Sequence, residues 1–125
     1  MITSLEPFGI KTELNEKYLK PILSALSYYK IDTPLRMSHF FAQVLHESGM
    51  FRFTEELASG RRYEGREDLG NIQKGDGERF KGRGFIQLTG RTVYLHYGAF
   101  IVEDFIETPE LLSTAKYAAN SAGWF

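Results

Sequence analysis

Glu47 closes an apolar helical stretch, and Glu55 and Glu56 follow it after a short interval. Two carboxylates flanking a substrate, one protonated and one ionised, are what acid/base hydrolysis of a glycosidic bond requires. A glutamate at a helix C-terminus faces the negative end of the helix macrodipole, which disfavours its charged form and suits a general acid. Phe40, Phe41, Val44 and Phe51 lie nearby in sequence and are expected to add desolvation in the same direction. The plainer alternative makes Glu47 a solvated helix end and Glu55-Glu56 a charged turn.

Other chemistries find less support. His46-Glu47 opens like a zinc-protease helix, but position 50 is Met, so the second histidine is missing. His39 and His46 would share a helix face with no obvious third ligand, and no metal or cofactor is implied. Gly82-Arg83-Gly84 is followed by Gln87 where a dinucleotide fingerprint needs a third glycine, and no Gly-Lys-Ser/Thr phosphate loop exists. Residues 61–91 carry eight Lys/Arg against five acids, a small excess for nucleic-acid binding, and the whole chain has a formal charge of −1. With no cysteine there is no disulfide framework, no thiolate zinc site and no thiol nucleophile.

The elements that must position these groups can be read from periodicity. Leu14, Tyr18, Leu19, Ile22, Leu23 and Leu26 recur at helical spacing over residues 14–29, with Pro21 expected to kink that helix or begin it. Thr33 as cap, Pro34 at the first position and the stripe Met37, Phe40, Phe41, Val44 and Leu45 predict a helix from Pro34 to Glu47, stopped by Ser48-Gly49. Nine of the twelve glycines lie between Gly49 and Gly90, which predicts a long irregular excursion with short strands centred on Arg83 to Thr89. Helix resumes at Val93 to Phe100 and again from Thr108-Pro109, the last one carrying Leu112, Ala115, Ala119, Ala122 and Phe125. The 125 residues make one domain, mainly helical with a small irregular β element and a cleft between the Pro34–Glu47 helix and the Arg83–Thr89 segment. Trp124 and Phe125 should be hidden, either under the chain's own helices or by pairing with a second copy through that apolar face, the latter being favoured. No apolar run reaches the ~18 residues of a membrane span. No signal peptide is visible at the start, so synthesis in the cytoplasm is expected, with action on cell wall or extracellular polysaccharide after lysis or assisted export.

Four segments together carry a family likeness: Phe41-Ala-Gln-Val-Leu-His-Glu47-Ser-Gly49, Glu55-Glu56, Tyr63-Glu-Gly-Arg-Glu-Asp-Leu-Gly-Asn71 and Arg79-Phe-Lys-Gly-Arg-Gly-Phe-Ile-Gln-Leu-Thr-Gly-Arg91. In this order and spacing they resemble glycoside hydrolase family 19, which contains chitinases and phage and bacterial endolysins of lysozyme-like fold. The resemblance spans roughly residues 33 to 125. It implies Glu47 as general acid and Glu56 as the general base that activates water, with Glu55 the lesser candidate. It implies Thr89 as a hydroxyl that helps hold that water, with Gln87, Tyr94, Arg83 and His46 as substrate-binding or supporting residues. The implied reaction is a single inverting displacement at β-1,4 bonds beside N-acetylglucosamine in chitin or peptidoglycan, with carboxyls ~6.5–9.5 Å apart. The family's Asn-Tyr pair is Val93-Tyr94 here, and family members continue beyond the Trp124-Phe125 end, so the chain is expected to be short at its C-terminal side. The competing expectation is a sugar-binding or interaction module that has kept the groove and lost turnover.

Overall fold

A computed structural model describes residues 2–125, and its helices are α1 (Thr12–Tyr28), α2 (Pro34–Glu47), α3 (Asp76–Arg79), α4 (Arg91–Ile101) and α5 (Ala115–Trp124). Short 3₁₀ turns cover Glu6–Phe8, Arg61–Tyr63, Glu67–Leu69 and Pro109–Ser113. Helix α1 runs through Pro21, which neither begins it nor breaks it. The proline removes one helical donor, but Tyr18, Ile22, Ala25 and Leu26 are buried on both sides of it and hold the helix together.

Helix α2 has the bounds its sequence dictates. The Thr33 Oγ1 accepts the Arg36 N–H at 3.2 Å, Pro34 fills the first turn, and Phe40, Phe41 and Val44 turn inward. Met37 and Leu45 are only partly buried, so the inward stripe is narrower than its apolar positions suggest. Thr33→Ala is expected to cost about 1 kcal/mol, read as a lower denaturant midpoint at unchanged slope. An unchanged midpoint would remove the cap from the account of α2.

The last expected helix is broken in two. Pro109–Ser113 is a 3₁₀ turn, Thr114 adopts an extended backbone (φ −71°, ψ 155°), and α5 begins after it. Leu112 and Ala119 remain buried on the two pieces, which is why the apolar spacing looked continuous. The expected short strands reduce to two antiparallel bridges, Glu55–Arg83 and Arg83–Leu88. Gly84 and Gln87, at φ +82° and +59°, bend the chain too tightly there for an extended run.

Two apolar cores meet along α5. Helices α1, α2 and α5 enclose the first, together with Phe51 and Phe85; Phe80, Leu88, Tyr94, Tyr97, Phe105, Leu112 and Tyr117 form the second. The Gly82–Gly90 segment therefore crosses the seam, with Phe85 in one core and Leu88 in the other. It is fastened to α5 by the Phe85 N–H on the Ala118 carbonyl at 3.2 Å. Trp124 is half-buried against Tyr97 and Phe100, at 5.2 and 6.5 Å between ring centroids, whereas Phe125 is 78% exposed. Of the two aromatics expected to be hidden, the chain's own helices cover only the first.

Candidate active site

Beyond α2 the chain reverses through Gly49, Met50 and Phe51, all at positive φ (58°, 61° and 65°). Such backbone is unfavourable for a bulky residue and persists here because the Phe51 ring is fully buried against Phe85 and Tyr18. Ser48 reinforces the turn: its hydroxyl donates to the Val44 carbonyl and accepts the Phe51 N–H. The reversal delivers Thr54 to Glu56 alongside Gly82 to Gly84, joined by Gly84 N–H on the Thr54 carbonyl (2.7 Å) and Glu56 N–H on the Gly82 carbonyl (2.8 Å).

Glu56, which the sequence places loosely in a loop, is held at both carboxylate oxygens. Oε1 accepts the Gly82 N–H at 3.0 Å, and Oε2 accepts the Tyr63 hydroxyl at 3.0 Å and the Arg62 Nη2 at 3.4 Å. Its side chain is 13% exposed. The missing side chain of Gly82 is what lets the site close up. A Cβ there would lie 2.8 Å from Gln87 Oε1, 3.3 Å from Thr89 Oγ1 and 3.4 Å from Glu56 Oε1. Three expected site residues, Glu56, Gln87 and Thr89, thus converge on one glycine. The Thr89 hydroxyl donates to the Gln87 carbonyl at 2.9 Å, and Gln87 Nε2 donates to the Gly84 carbonyl at 2.8 Å. With those protons committed, the oxygens of Glu56, Gln87 and Thr89 turned toward Gly82 are acceptors.

Glu47 and His46 are exposed in the last turn of α2. Phe40, Phe41, Val44 and Phe51 all turn into the core and do not enclose Glu47, so the expected desolvation by these neighbours is absent. Glu47 Oε1 accepts the Gln43 Nε2 at 3.0 Å, and among the described residues no hydrogen bond joins it to the Glu56 network.

Arg83 and Tyr94, which the resemblance makes substrate-binding or supporting residues, both lie inside the fold. Arg83 is 5% exposed and Tyr94 0%. The Arg83 Nε donates to Glu55 Oε1 at 3.0 Å, and its Nη1 to the Arg79 carbonyl and the Tyr94 oxygen; the Tyr94 hydroxyl donates to the Lys81 carbonyl. Burial pushes the Tyr94 phenol well above its ordinary range, keeping it a neutral donor. Glu55 is thereby engaged by Arg83, with Lys81 Nζ at 3.8 Å, which leaves Glu56 as the carboxylate of the pair at the Gly82 centre. Val93 packs partly against the second core.

Several contributors are invisible to spacing. Tyr63 lies in a recognisable segment but shows no sign of reaching Glu56; Arg62 and Gly82 act only through the fold. Asn71, fully buried, donates to the Tyr63 carbonyl at 3.0 Å and accepts the Arg91 N–H at 2.9 Å, tying the site's loop to the start of α4. Glu64 accepts the Gly75 and Gly77 N–H groups at 2.8 Å each, and these bonds hold its carboxyl below the usual carboxylate range.

The fold is that of the helical, lysozyme-like chitinases. Crystal structures of chitinase C from Streptomyces griseus (TM-score 0.63, 21% identity) and of a glutamate-to-glutamine mutant of chitinase C (0.63, 18%) align with 92% and 90% of this chain. In sequence, a 70-residue stretch, 56% of the chain, is 31% identical to a glycosyl hydrolase family 19 domain-containing protein of Haemophilus influenzae. The resemblance to that family thus holds in sequence and in fold. No family model matches the chain. The alignments take in 34% of the Haemophilus protein and 48% and 50% of the two chitinase chains, so the chain spans about half the length of the solved relatives or less. No helix among the described residues is long and apolar enough to cross a membrane.

Proposed function

We propose that this chain is a glycosidase that cleaves β-1,4 linkages beside N-acetylglucosamine, in chitin or peptidoglycan, by one inverting displacement. The observation that carries the reading is the convergence of Glu56 Oε1, Thr89 Oγ1 and Gln87 Oε1 on Gly82. A water molecule seated among three acceptors donates one proton to Glu56 and the other to Thr89 or Gln87. Its lone pair is then free to attack the anomeric carbon as Glu56 takes the proton. Glu47 protonates the leaving oxygen from the end of α2. Standing exposed, it is desolvated by the bound polymer, not by its own neighbours. The family likeness and the chitinase fold support both the reaction class and the substrate class.

Incubation with chito-oligosaccharides and with purified cell wall, products identified by mass, tests the proposal and separates the two polymers. Release from either supports hydrolysis. Binding without release from both would favour the alternative of a sugar-binding module, to which the core-packed Val93 adds weight because it offers no hydrogen bond to a sugar amide. Thr89→Ala is expected to slow hydrolysis about fivefold, since it removes one water-holding hydroxyl worth about 1 kcal/mol. A parental rate in that variant would take Thr89 out of the site.

A further inference from the structure

We infer that Arg62 and Tyr63 form a positioning pair for Glu56, fixing the direction in which its reactive oxygen points. The inference rests on the proposed reading of Glu56 as the water-activating base. Tyr63 meets only one oxygen of that carboxylate, Oε2 at 3.0 Å, while the Gly82 N–H holds the other. Two donors on opposite oxygens fix the plane of the carboxyl group, and Oε1 is the oxygen left near Thr89. Arg62 Nη2 donates to the Tyr63 oxygen at 2.6 Å, and its guanidinium lies 4.8 Å from the centre of the Tyr63 ring. A cation on the phenol oxygen polarises the O–H and strengthens its donation to Glu56. Tyr63 is itself anchored from below, its carbonyl held by buried Asn71. Tyr63 is half-buried and joined to Glu56 at its hydroxyl, so its route to the reaction runs through that carboxylate.

The test is a cycle of four proteins, the parent, Tyr63→Phe, Glu56→Gln and the double variant, with kcat and KM measured on whichever glycan the parent cleaves. Tyr63→Phe keeps the ring and the carbonyl that Asn71 holds. It is expected to lower kcat about tenfold, as loss of a hydrogen bond to a charged group does, with KM within about twofold of the parent. In the Glu56→Gln background it should lower the residual rate no further, because the group it positions has gone. A parental kcat for Tyr63→Phe beside a crippled Glu56→Gln overturns the positioning role and leaves the proposed function intact. An equal loss in both backgrounds overturns it as well, since Tyr63 would then act independently of Glu56. A Glu56→Gln variant as fast as the parent, or a parent that releases nothing, overturns the functional reading and the inference with it. Should Tyr63→Phe melt early, Arg62→Met leaves the phenol in place; it must show a smaller loss of kcat with the same dependence on Glu56, and a parental kcat there overturns the pair.

Discussion

Glu47→Gln is expected to lower the rate of hydrolysis by roughly 10²–10⁴-fold while leaving glycan affinity close to the parent's, the range typical for loss of a general acid. The substitution removes the transferable proton and keeps the side-chain shape. Gln43 Nε2 donates to Glu47 Oε1, and an amide oxygen at that place accepts the same bond, so the side chain keeps its direction. The residue is exposed, so no buried group loses a partner and the fold should melt as the parent does. Steady-state rates with a parallel binding titration check this. An unchanged rate would show that the proton comes from elsewhere; a rate lost together with affinity would point to a binding role.

The largest expected loss of stability lies away from Glu47, at Asp76→Ala. Asp76 is 1% exposed and accepts the Arg91 Nε at 2.8 Å and Nη2 at 2.9 Å, a two-pronged pair lying against Phe80. Removing the carboxylate leaves the partly exposed guanidinium at the start of α4 with Gln73 Oε1 as its remaining partner and frees the Gln73 N–H, at a cost of about 3 kcal/mol. The Arg91 guanidinium holds the Asp76 carboxyl below the usual carboxylate range. Its contribution is therefore complete above the ordinary aspartate pKa of about 4 and fades as the pH falls through the lower folded value. The stability gap between parent and Asp76→Ala should be full at neutral pH and narrow as the pH falls below about 4. Denaturant titrations at several pH values measure it. A gap that is small at pH 7, or that grows as the pH falls, would refute the pairing as the cause.

What the sequence makes legible divides by range. Helix α2 is readable because its cap, its proline and its stop are all local, and they agree with the apolar spacing. The break at Thr114 is not, since Leu112 and Ala119 keep helical spacing across it and only the backbone of one threonine departs. The acidic residues and the Gly82–Gly90 segment stand out through the family likeness, but their partners do not. Gly82 reaches Glu56 across 26 residues, and Tyr63 reaches it from a 3₁₀ turn that periodicity cannot detect. Tyr94 and Arg83 stand out through the same likeness, and the spacing gives no sign that the packing buries them. Residue type suggests the chemistry, and only the packing decides which groups face substrate.

The most direct test follows the anomeric proton of newly released sugar by NMR during the first minutes of cleavage of a β-1,4 chito-oligosaccharide or glycan strand, in the parent and in Glu56→Gln. A water activated by Glu56 on the face opposite the leaving group yields the α-anomer first, with the β-anomer appearing later by mutarotation, and Glu56→Gln yields almost none of either. Initial β-anomer, or equal release by Glu56→Gln, would contradict the role of Glu56 as the base in an inverting hydrolysis.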